Sequence, residues 1–206
     1  MVRFYKKEGR RFPWRNANDP YVILVSELLL QKTTAAQVVK VLDEFLRRWP
    51  SVADLALADL GDIEKTIGEL GLRKRARFLK EIAAKILTDY GGKVPRGEDL
   101  TGLKGVGIYT SNAVRCFAFG ERVPVVDANV ARVLRRYFGI SGKKPAYADR
   151  ELWELAGVIL PARGYKEFNY GLLDVSAKYC RPKPFCNRCP LEPHCSYAIK
   201  HSKERW

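Results

Sequence analysis

A ten-residue apolar run, YVILVSELLL at 21–30, places the strongest constraint on the fold of this chain. The Asp19-Pro20 pair before it is typical of a helix start, with aspartate as N-cap and proline in the first turn. The helix is apolar almost all round, which predicts that it is buried. It is too short to cross a bilayer, which takes about 20 residues. The run therefore predicts a buried helix of a protein that does not span a membrane, with one charged residue, Glu27, inside it.

The other periodic segments also have helical spacing. Several end in glycine or proline, which favours short connections between helices. The sequence contains no alternating strand runs and no repeat of fixed period. These observations predict an all-α protein, with further helices in the segments 33–49, 60–71, 72–92, 109–120, 123–139, 151–161 and 165–179.

The charge balance favours a polyanionic partner. The chain has 37 Lys and Arg against 23 Asp and Glu, a formal net charge of +14. An excess of this size is typical of proteins that bind nucleic acid. Residues 1–15 are predicted to be a basic arm that contacts phosphates. The N-terminus has no apolar core typical of a signal peptide, so we expect a cytoplasmic, nucleoid-associated protein.

A cysteine run near the C-terminus indicates a metal site. Four cysteines fall within sixteen residues, with gaps of five, two and five, and in an intracellular chain such a cluster favours metal over disulfides. Four thiolates suit tetrahedral zinc or a [4Fe–4S] cluster. The single Cys-x₂-Cys pair with longer arms favours iron–sulfur, with zinc as the alternative. The expected ligands are Cys180, Cys186, Cys189 and Cys195; the fifth cysteine, Cys116, is expected in the core.

The stretch LKGVG at 103–107 predicts a tight loop in front of a helix. Gly105 and Gly107 allow the backbone to turn sharply and expose N–H groups at the helix N-terminus, where a phosphate is favoured. A plain turn between helices is the alternative. Further on, Asp127 stands where the N-cap of the next helix is expected.

Four motifs in order resemble the helix-hairpin-helix DNA glycosylases of the endonuclease III and MutY superfamily. They are PYVILVSELLLQKTT, LKGVGIYTSNAV, VVDANVARV and the cysteine run, and the resemblance extends over about residues 12–198. It implies two all-helical domains with a DNA cleft between them. Residues 21–126 would form a helical-barrel domain with the hairpin at about 95–119. Residues 1–20 and 127–206 would form a second domain whose loop 180–195 holds a [4Fe–4S] cluster.

Residue 109 separates the branches of this superfamily. Enzymes that also cleave the strand carry lysine there, whose amine forms a Schiff base with the sugar. Tyr109 cannot do so and implies base removal without strong lyase action. Together with the VDAN and RFPWRN stretches, Tyr109 makes the chain most similar to the thermophilic thymine-DNA mismatch glycosylases. These enzymes remove thymine or uracil opposite guanine. Two departures from the family pattern are Lys104, where proline is usual, and a first cysteine gap of five instead of six.

The resemblance also implies roles for single residues. Asp127 would stabilise positive charge on the sugar, Glu27 would assist departure of the base, and Tyr109 would line the pocket. Six residues are implied in DNA binding. Gly105, Val106, Gly107 and Thr110 lie in the hairpin, and Gln31 and Lys32 lie in a segment that would insert into the DNA double helix where the base has left.

Each of these roles has a structural alternative. Asp127 could be an N-cap only, Glu27 a partner in a buried ion pair or a residue of the pocket rim, and Tyr109 a packing residue. Gln31 and Lys32 could be a solvated helix end. At the level of function, the alternatives are an adenine glycosylase, a broader pyrimidine-lesion enzyme and a non-catalytic DNA-binding module. In every case the expected partner is double-stranded DNA with mismatched or damaged bases, bound by a monomer.

Overall fold

The structure is a computed structural model that describes residues 1–71, 73–97, 99–142 and 144–202, without the side chains of Arg73 and Ser202. Leu72, the predicted first residue of one helix, lies outside this description. Within the described ranges all regular structure is helical and no β-strand occurs, which confirms the predicted class.

Eleven α-helices are found in the described residues. Their bounds are α1 Val2–Glu8, α2 Pro20–Leu30, α3 Ala35–Arg48, α4 Val52–Leu57, α5 Leu60–Thr66, α6 Arg73–Tyr90, α7 Ile108–Phe117, α8 Ala128–Phe138, α9 Arg150–Val158, α10 Tyr165–Lys178 and α11 Ser196–Ser202. Short 3₁₀ helices occupy Pro13–Arg15, Gly68–Leu70, Leu100–Gly102, Ala146–Ala148, Cys186–Arg188 and Glu192–His194. None of the helices in the described part of the chain is long and apolar enough to cross a membrane.

The chain forms two compact units. Residues Arg11–Glu121 make up one, which we call the hairpin unit because it contains the 103–107 loop. Met1–Arg10 and Arg122–Trp206 make up the other, which we call the cysteine unit.

Helix α2 is the core of the hairpin unit. Asp19 caps it by accepting a hydrogen bond from Tyr21 N at 2.8 Å, and Pro20 occupies the first position. Every residue from Ile23 to Leu29 is buried, because α3, α6 and α7 all pack around this helix. The predicted buried helix is therefore confirmed, and its polar residues lie in an apolar surrounding.

The cysteine unit is built around helix α8, whose buried face is made of aliphatic residues. Val130, Val133 and Leu134 pack with residues of α9 and α10 such as Leu152 and Leu172. Gly139, with a φ of 67°, ends α8 in the left-handed conformation that glycine adopts readily.

The predicted basic arm is wrong in its first half, because residues 2–8 form α1 and pack on α10. Phe4 is buried, and the ring of Tyr5 stacks on Tyr170 with centroids 5.4 Å apart. Glu8 Oε2 accepts a hydrogen bond from Lys178 Nζ at 2.7 Å. The cations of this segment therefore extend from a docked amphipathic helix.

Two other helices were not predicted from the sequence. Helix α4 has only six residues, too few for a periodic pattern, and its N-cap Ser51 accepts a hydrogen bond from Asp54 N at 3.2 Å. Helix α11 follows the last cysteine and packs against α8. The predicted 60–71 helix is shorter than expected, since α5 ends at Thr66 and a 3₁₀ turn follows.

Candidate active site and metal centre

Glu27 lies in the middle of α2 with only 4% of its surface exposed. Helix α7, which packs against α2, contributes buried polar residues in its first half, Thr110, Ser111 and Asn112. A carboxylate at this depth is costly unless polar groups surround it. Both helices therefore carry polar residues that are buried inside the hairpin unit.

Tyr109 is the second residue of α7 and is half-buried. It lies two residues after the loop, in the first turn of the helix. The hairpin unit thus contains both Glu27 and Tyr109, on two helices that contact one another. The third predicted catalytic residue, Asp127, belongs to the cysteine unit and is described there.

The 103–107 loop is anchored by Leu100, Leu103 and Val106, all buried. Val106 N donates to Leu103 O at 3.0 Å, which closes a tight turn, and Gly105 has a φ of 84° that only glycine adopts without strain. The side chain of Val106 is thus buried, and its N–H is hydrogen-bonded within the loop.

The hydrogen bonds of helix α7 begin with Ser111 N, which donates to Gly107 O at 2.9 Å. The N–H groups that precede Ser111 are those that a helix N-terminus directs outward. Thr110 is buried, whereas Gly107 and Ile108 ahead of it are exposed. The start of α7 thus has the geometry of an anion site.

A second contact fixes the loop from the N-terminal side. Ser111 Oγ accepts from Leu100 N and donates to Asp99 Oδ1, both at 3.0 Å. Thr101 donates to the same carboxylate from its hydroxyl at 2.8 Å and from its N–H at 3.0 Å. The Thr101 hydroxyl is the main cause that lowers the pKa of Asp99, and Ser111 adds to it.

Gln31 and Lys32 follow α2 directly. Gln31 Nε2 donates to Gly105 O at 3.1 Å, so the predicted DNA-inserting segment touches the predicted phosphate loop. Lys32 is exposed and has a φ of 57°. No local pattern indicates this contact, because its two residues are 74 positions apart.

Asp127 is the N-cap of α8, as predicted. Its Oδ1 accepts from Asn129 N at 2.9 Å and from Val130 N at 2.6 Å, and its Oδ2 accepts from Asn129 Nδ2 at 2.9 Å. A negative charge is favoured at a helix N-terminus. The carboxylate is partly exposed, so the same geometry leaves it within reach of a ligand.

Asn129 and Arg132, which sequence reasoning missed, connect Asp127 with the cysteine loop. Asn129 Oδ1 accepts from Arg132 Nη2 at 3.0 Å, and Arg132 Nε donates to Cys180 O at 2.8 Å. Four groups thus form one chain of hydrogen bonds, from the carboxylate to the first cysteine. The VDANVAR segment does indicate that these two side chains can meet, because Asn129 and Arg132 lie three residues apart on one face of the helix.

The four cysteines of the run line one cavity together with Arg136, Tyr179 and Tyr197. Burial raises the pKa of the Cys189 thiol to about 11, and the other three thiols add to the effect. Any metal that binds thiolates here must therefore displace protons. Among the described residues, no three Cys, His, Asp or Glu side chains are arranged to hold a single metal ion.

Contacts of Arg136 stabilise the segment between the first two cysteines of the run. Arg136 Nη1 lies 3.5 Å from Cys180 Sγ and 2.7 Å from Arg181 O, and its Nη2 donates to Pro182 O at 3.0 Å. Its guanidinium also lies 4.6 Å from the centre of the Tyr197 ring. The five-residue gap is closed by Phe185 N, which donates to Tyr179 O at 2.9 Å.

Solved structures share this fold over nearly the whole chain. A thermostable thymine-DNA glycosylase is 44% identical, with a TM-score of 0.91 over 97% of this chain and 93% of that one. An endonuclease III in a non-covalent complex with DNA is 26% identical, with a TM-score of 0.85 over 98% and 94%.

Sequence comparison agrees with the structural likeness. A thymine/uracil-DNA glycosylase of Methanothermobacter thermautotrophicus is 44% identical over 205 residues, which cover 98% of this chain and 93% of the relative. Residues 25–157 match the family described as HhH-GPD superfamily base excision DNA repair protein. The chain therefore belongs to the HhH-GPD superfamily.

Proposed function

We propose that this protein is a base excision repair glycosylase that removes thymine or uracil mispaired with guanine. The observation that carries this proposal is the placement of Asp127, a partly exposed carboxylate fixed by three hydrogen bonds at the start of α8. The 44% identity to a thymine/uracil-DNA glycosylase supports the choice of substrate. The partner is then double-stranded DNA, which the net charge of +14 attracts.

The reaction is hydrolysis of the glycosidic bond of a flipped nucleotide. Extrusion of the base from the duplex costs less at a mispair, which contributes to selectivity. As the bond to the base breaks, positive charge develops on the sugar. The Asp127 carboxylate stabilises that charge and orients the attacking water, as carboxylates do in glycoside hydrolysis.

Glu27 acts on the base in this proposal. Its depth in α2 excludes water and strengthens any hydrogen bond that it makes with a flipped pyrimidine. Tyr109 lines the pocket or stacks on the base. Its phenol cannot form an imine with the sugar, so the strand stays intact after the base leaves.

The hairpin binds the DNA backbone. The N–H groups at the start of α7 hold one phosphate without reading sequence. Gln31 and Lys32 enter the space that the flipped nucleotide leaves, as side chains of other DNA-deforming proteins do. Loss of any one basic contact would weaken binding to all sequences alike.

Cys180, Cys186, Cys189 and Cys195 would hold a [4Fe–4S] cluster. The donor set fits, because four thiols line one cavity and yet do not gather around a single ion. When bound, the cluster would be a structural cross-link of the 180–195 loop. A brown protein with visible absorbance and about four iron atoms per chain is expected, whereas a colourless protein with zinc would contradict the assignment.

A panel of duplexes tests the proposed activity against its alternatives. The duplexes contain T·G, U·G, A·G, A·8-oxoguanine or thymine glycol, and each is incubated with the protein and then treated with or without alkali. We expect strand breaks at T·G and U·G that depend on alkali.

Each alternative has its own pattern in this panel. Breaks mainly at adenine would identify an adenine glycosylase, and breaks at thymine glycol without alkali a broader lyase. Tight binding with no base release from any duplex would identify a DNA-binding module. A monomer at assay concentration is expected by light scattering.

A further inference from the structure

The turn after α2 has an unusual conformation. Thr33 N donates to Leu30 O at 3.2 Å, while Gln31 has φ −59° and ψ 117° and Lys32 has φ 57°. These values define a type II turn, whose third position normally holds glycine or asparagine. Among the described residues, Lys32 alone has a positive φ without being glycine. Its L side chain crowds the backbone there, so neighbouring structure must hold the turn.

Arg75 of α6 is the residue that holds it. Its side chain is buried, with 4% of the residue exposed. Nη1 donates to Leu29 O at 3.0 Å, and Nη2 donates to Gln31 O. The carbonyl just before the turn and the carbonyl of its second residue are therefore bound to one rigid, planar donor group.

The same face of α6 also contacts the hairpin loop. Arg75, Phe78 and Glu81 follow each other at intervals of three, so they lie along one side of the helix. A Cβ at Gly105 would lie 3.5 Å from the Phe78 ring, and Lys104 Nζ lies 3.0 Å from Glu81 Oε2. Helix α6 thus touches the turn at one end of this face and the loop further along.

A direct bond completes this arrangement. Gln31 Nε2 donates to Gly105 O at 3.1 Å, which joins the turn to the loop. The turn and the 103–107 loop are the two proposed DNA contacts. Their distance is set by this bond and by α6 before DNA binds. A surface ordered in advance loses less conformational entropy on binding.

We propose that Arg75 is a positioning residue for base excision. It acts through the Leu29 and Gln31 carbonyls to keep Lys32 in its left-handed conformation. The turn and the phosphate-binding loop thereby meet the DNA in register, the turn at the site of the flipped nucleotide and the loop at the backbone. This proposal rests on the proposed function, since it assigns Arg75 to the DNA-binding step of that reaction.

Glycine rescue tests the role of Arg75. In Arg75→Met the turn should relax, and single-turnover excision of thymine from T·G should fall. Adding Lys32→Gly restores the conformation without strain, whereas adding Lys32→Ala does not, and both remove the same charge. We expect the Arg75→Met/Lys32→Gly protein to exceed the Arg75→Met/Lys32→Ala protein by roughly tenfold in rate. Equal rates of the two double variants would overturn the proposal.

The wild-type background provides the matched control. There Arg75 holds the turn in either case, so Lys32→Gly and Lys32→Ala should differ much less in rate. If Arg75→Met does not fold, Arg75→Lys replaces it in the same comparison, because lysine lacks the rigid, planar pair of donors that holds both carbonyls. A difference in rate between Lys32→Gly and Lys32→Ala that is the same with and without Arg75 would also contradict the proposal.

A binding measurement separates this inference from the proposed function. The same variants are titrated with a duplex that carries an abasic-site analogue, which needs no catalysis. If the wild type releases no thymine, the proposed function fails, yet the glycine-over-alanine difference in duplex affinity is still expected. If the wild type is active and that difference is missing, the role of Arg75 is wrong.

Discussion

Asn129 Nδ2 donates a hydrogen bond to Asp127 Oδ2 across 2.9 Å, while Asn129 N donates to Oδ1 at the same distance. One residue thus fixes both oxygens of the carboxylate and determines its orientation. Asn129 is itself held by Arg132, which reaches the first cysteine of the run. The orientation of Asp127 therefore depends on the same loop that is proposed to hold the cluster.

Asp127→Asn separates the catalytic role from the capping role. Asparagine keeps the oxygen that accepts the two capping hydrogen bonds and loses only the acceptor of Asn129 Nδ2, so the melting temperature should change little. Loss of the negative charge should lower single-turnover excision of thymine by at least roughly 100-fold. Asp149→Asn is the control, because Asp149 caps α9 in the same unit and its loss should leave excision intact. Full activity of Asp127→Asn would show that Asp127 is an N-cap only.

Tyr109→Lys should add strand cleavage. A lysine amine at the start of α7 would attack the sugar and form a Schiff base, which borohydride traps as a covalent protein–DNA complex. Tyr109→Phe keeps the ring without an amine, so it should retain excision and give no trapped complex. A lysine variant that releases thymine without any trapped complex would place residue 109 away from the sugar.

Arg136→Leu should destabilise the proposed metal centre. This change removes the donors to Arg181 O and Pro182 O and the contact with Cys180 Sγ. Loss of such outer contacts typically weakens metal binding by roughly 10- to 100-fold. Iron retained after incubation with a chelator is the measurement. Arg150→Leu is the control, since Arg150 makes an exposed pair with Glu154, and equal iron loss in both variants would contradict the role of Arg136.

Asp99 should make the hairpin sensitive to acid. Hydrogen bonds led by the Thr101 hydroxyl lower the pKa of Asp99, so its ionised form stabilises the folded state. This contribution is complete above the unfolded pKa of about 4 and is lost as pH falls through the lower folded value. The difference in melting temperature between wild type and Asp99→Asn should therefore be largest near neutral pH and shrink below pH of about 4. A difference that does not change with pH would mean that the charge of Asp99 has no part in it.

Local patterns were enough to predict the main helices and the cap residue Asp127. The run around Glu27 is apolar on nearly all sides of its helix, so it must be buried, and it is buried in the fold. The Asp-x-Asn segment likewise predicts a helix start from its own chemistry. These features depend on neighbours within four residues, which a single sequence displays.

Long-range contacts decided the features that the sequence did not reveal. The cations of residues 2–8 suggested an arm, and the helix depends instead on the Tyr5–Tyr170 stack, whose partners are far apart along the chain. The left-handed conformation of Lys32 has no local signal, because lysine is a poor residue for it and Arg75 supplies the stabilisation. Such contacts exist only after the chain has folded.

Release of the free base from a T·G duplex tests the central claim most directly. The protein is incubated with duplexes that differ only in the partner of one thymine, guanine or adenine, and free thymine is measured by mass spectrometry before any alkali is added. We predict release of thymine from T·G, none from T·A, and an intact sugar-phosphate backbone after release. Thymine retained in T·G while the protein binds that duplex, or a backbone cut at the same rate as release, would contradict the account.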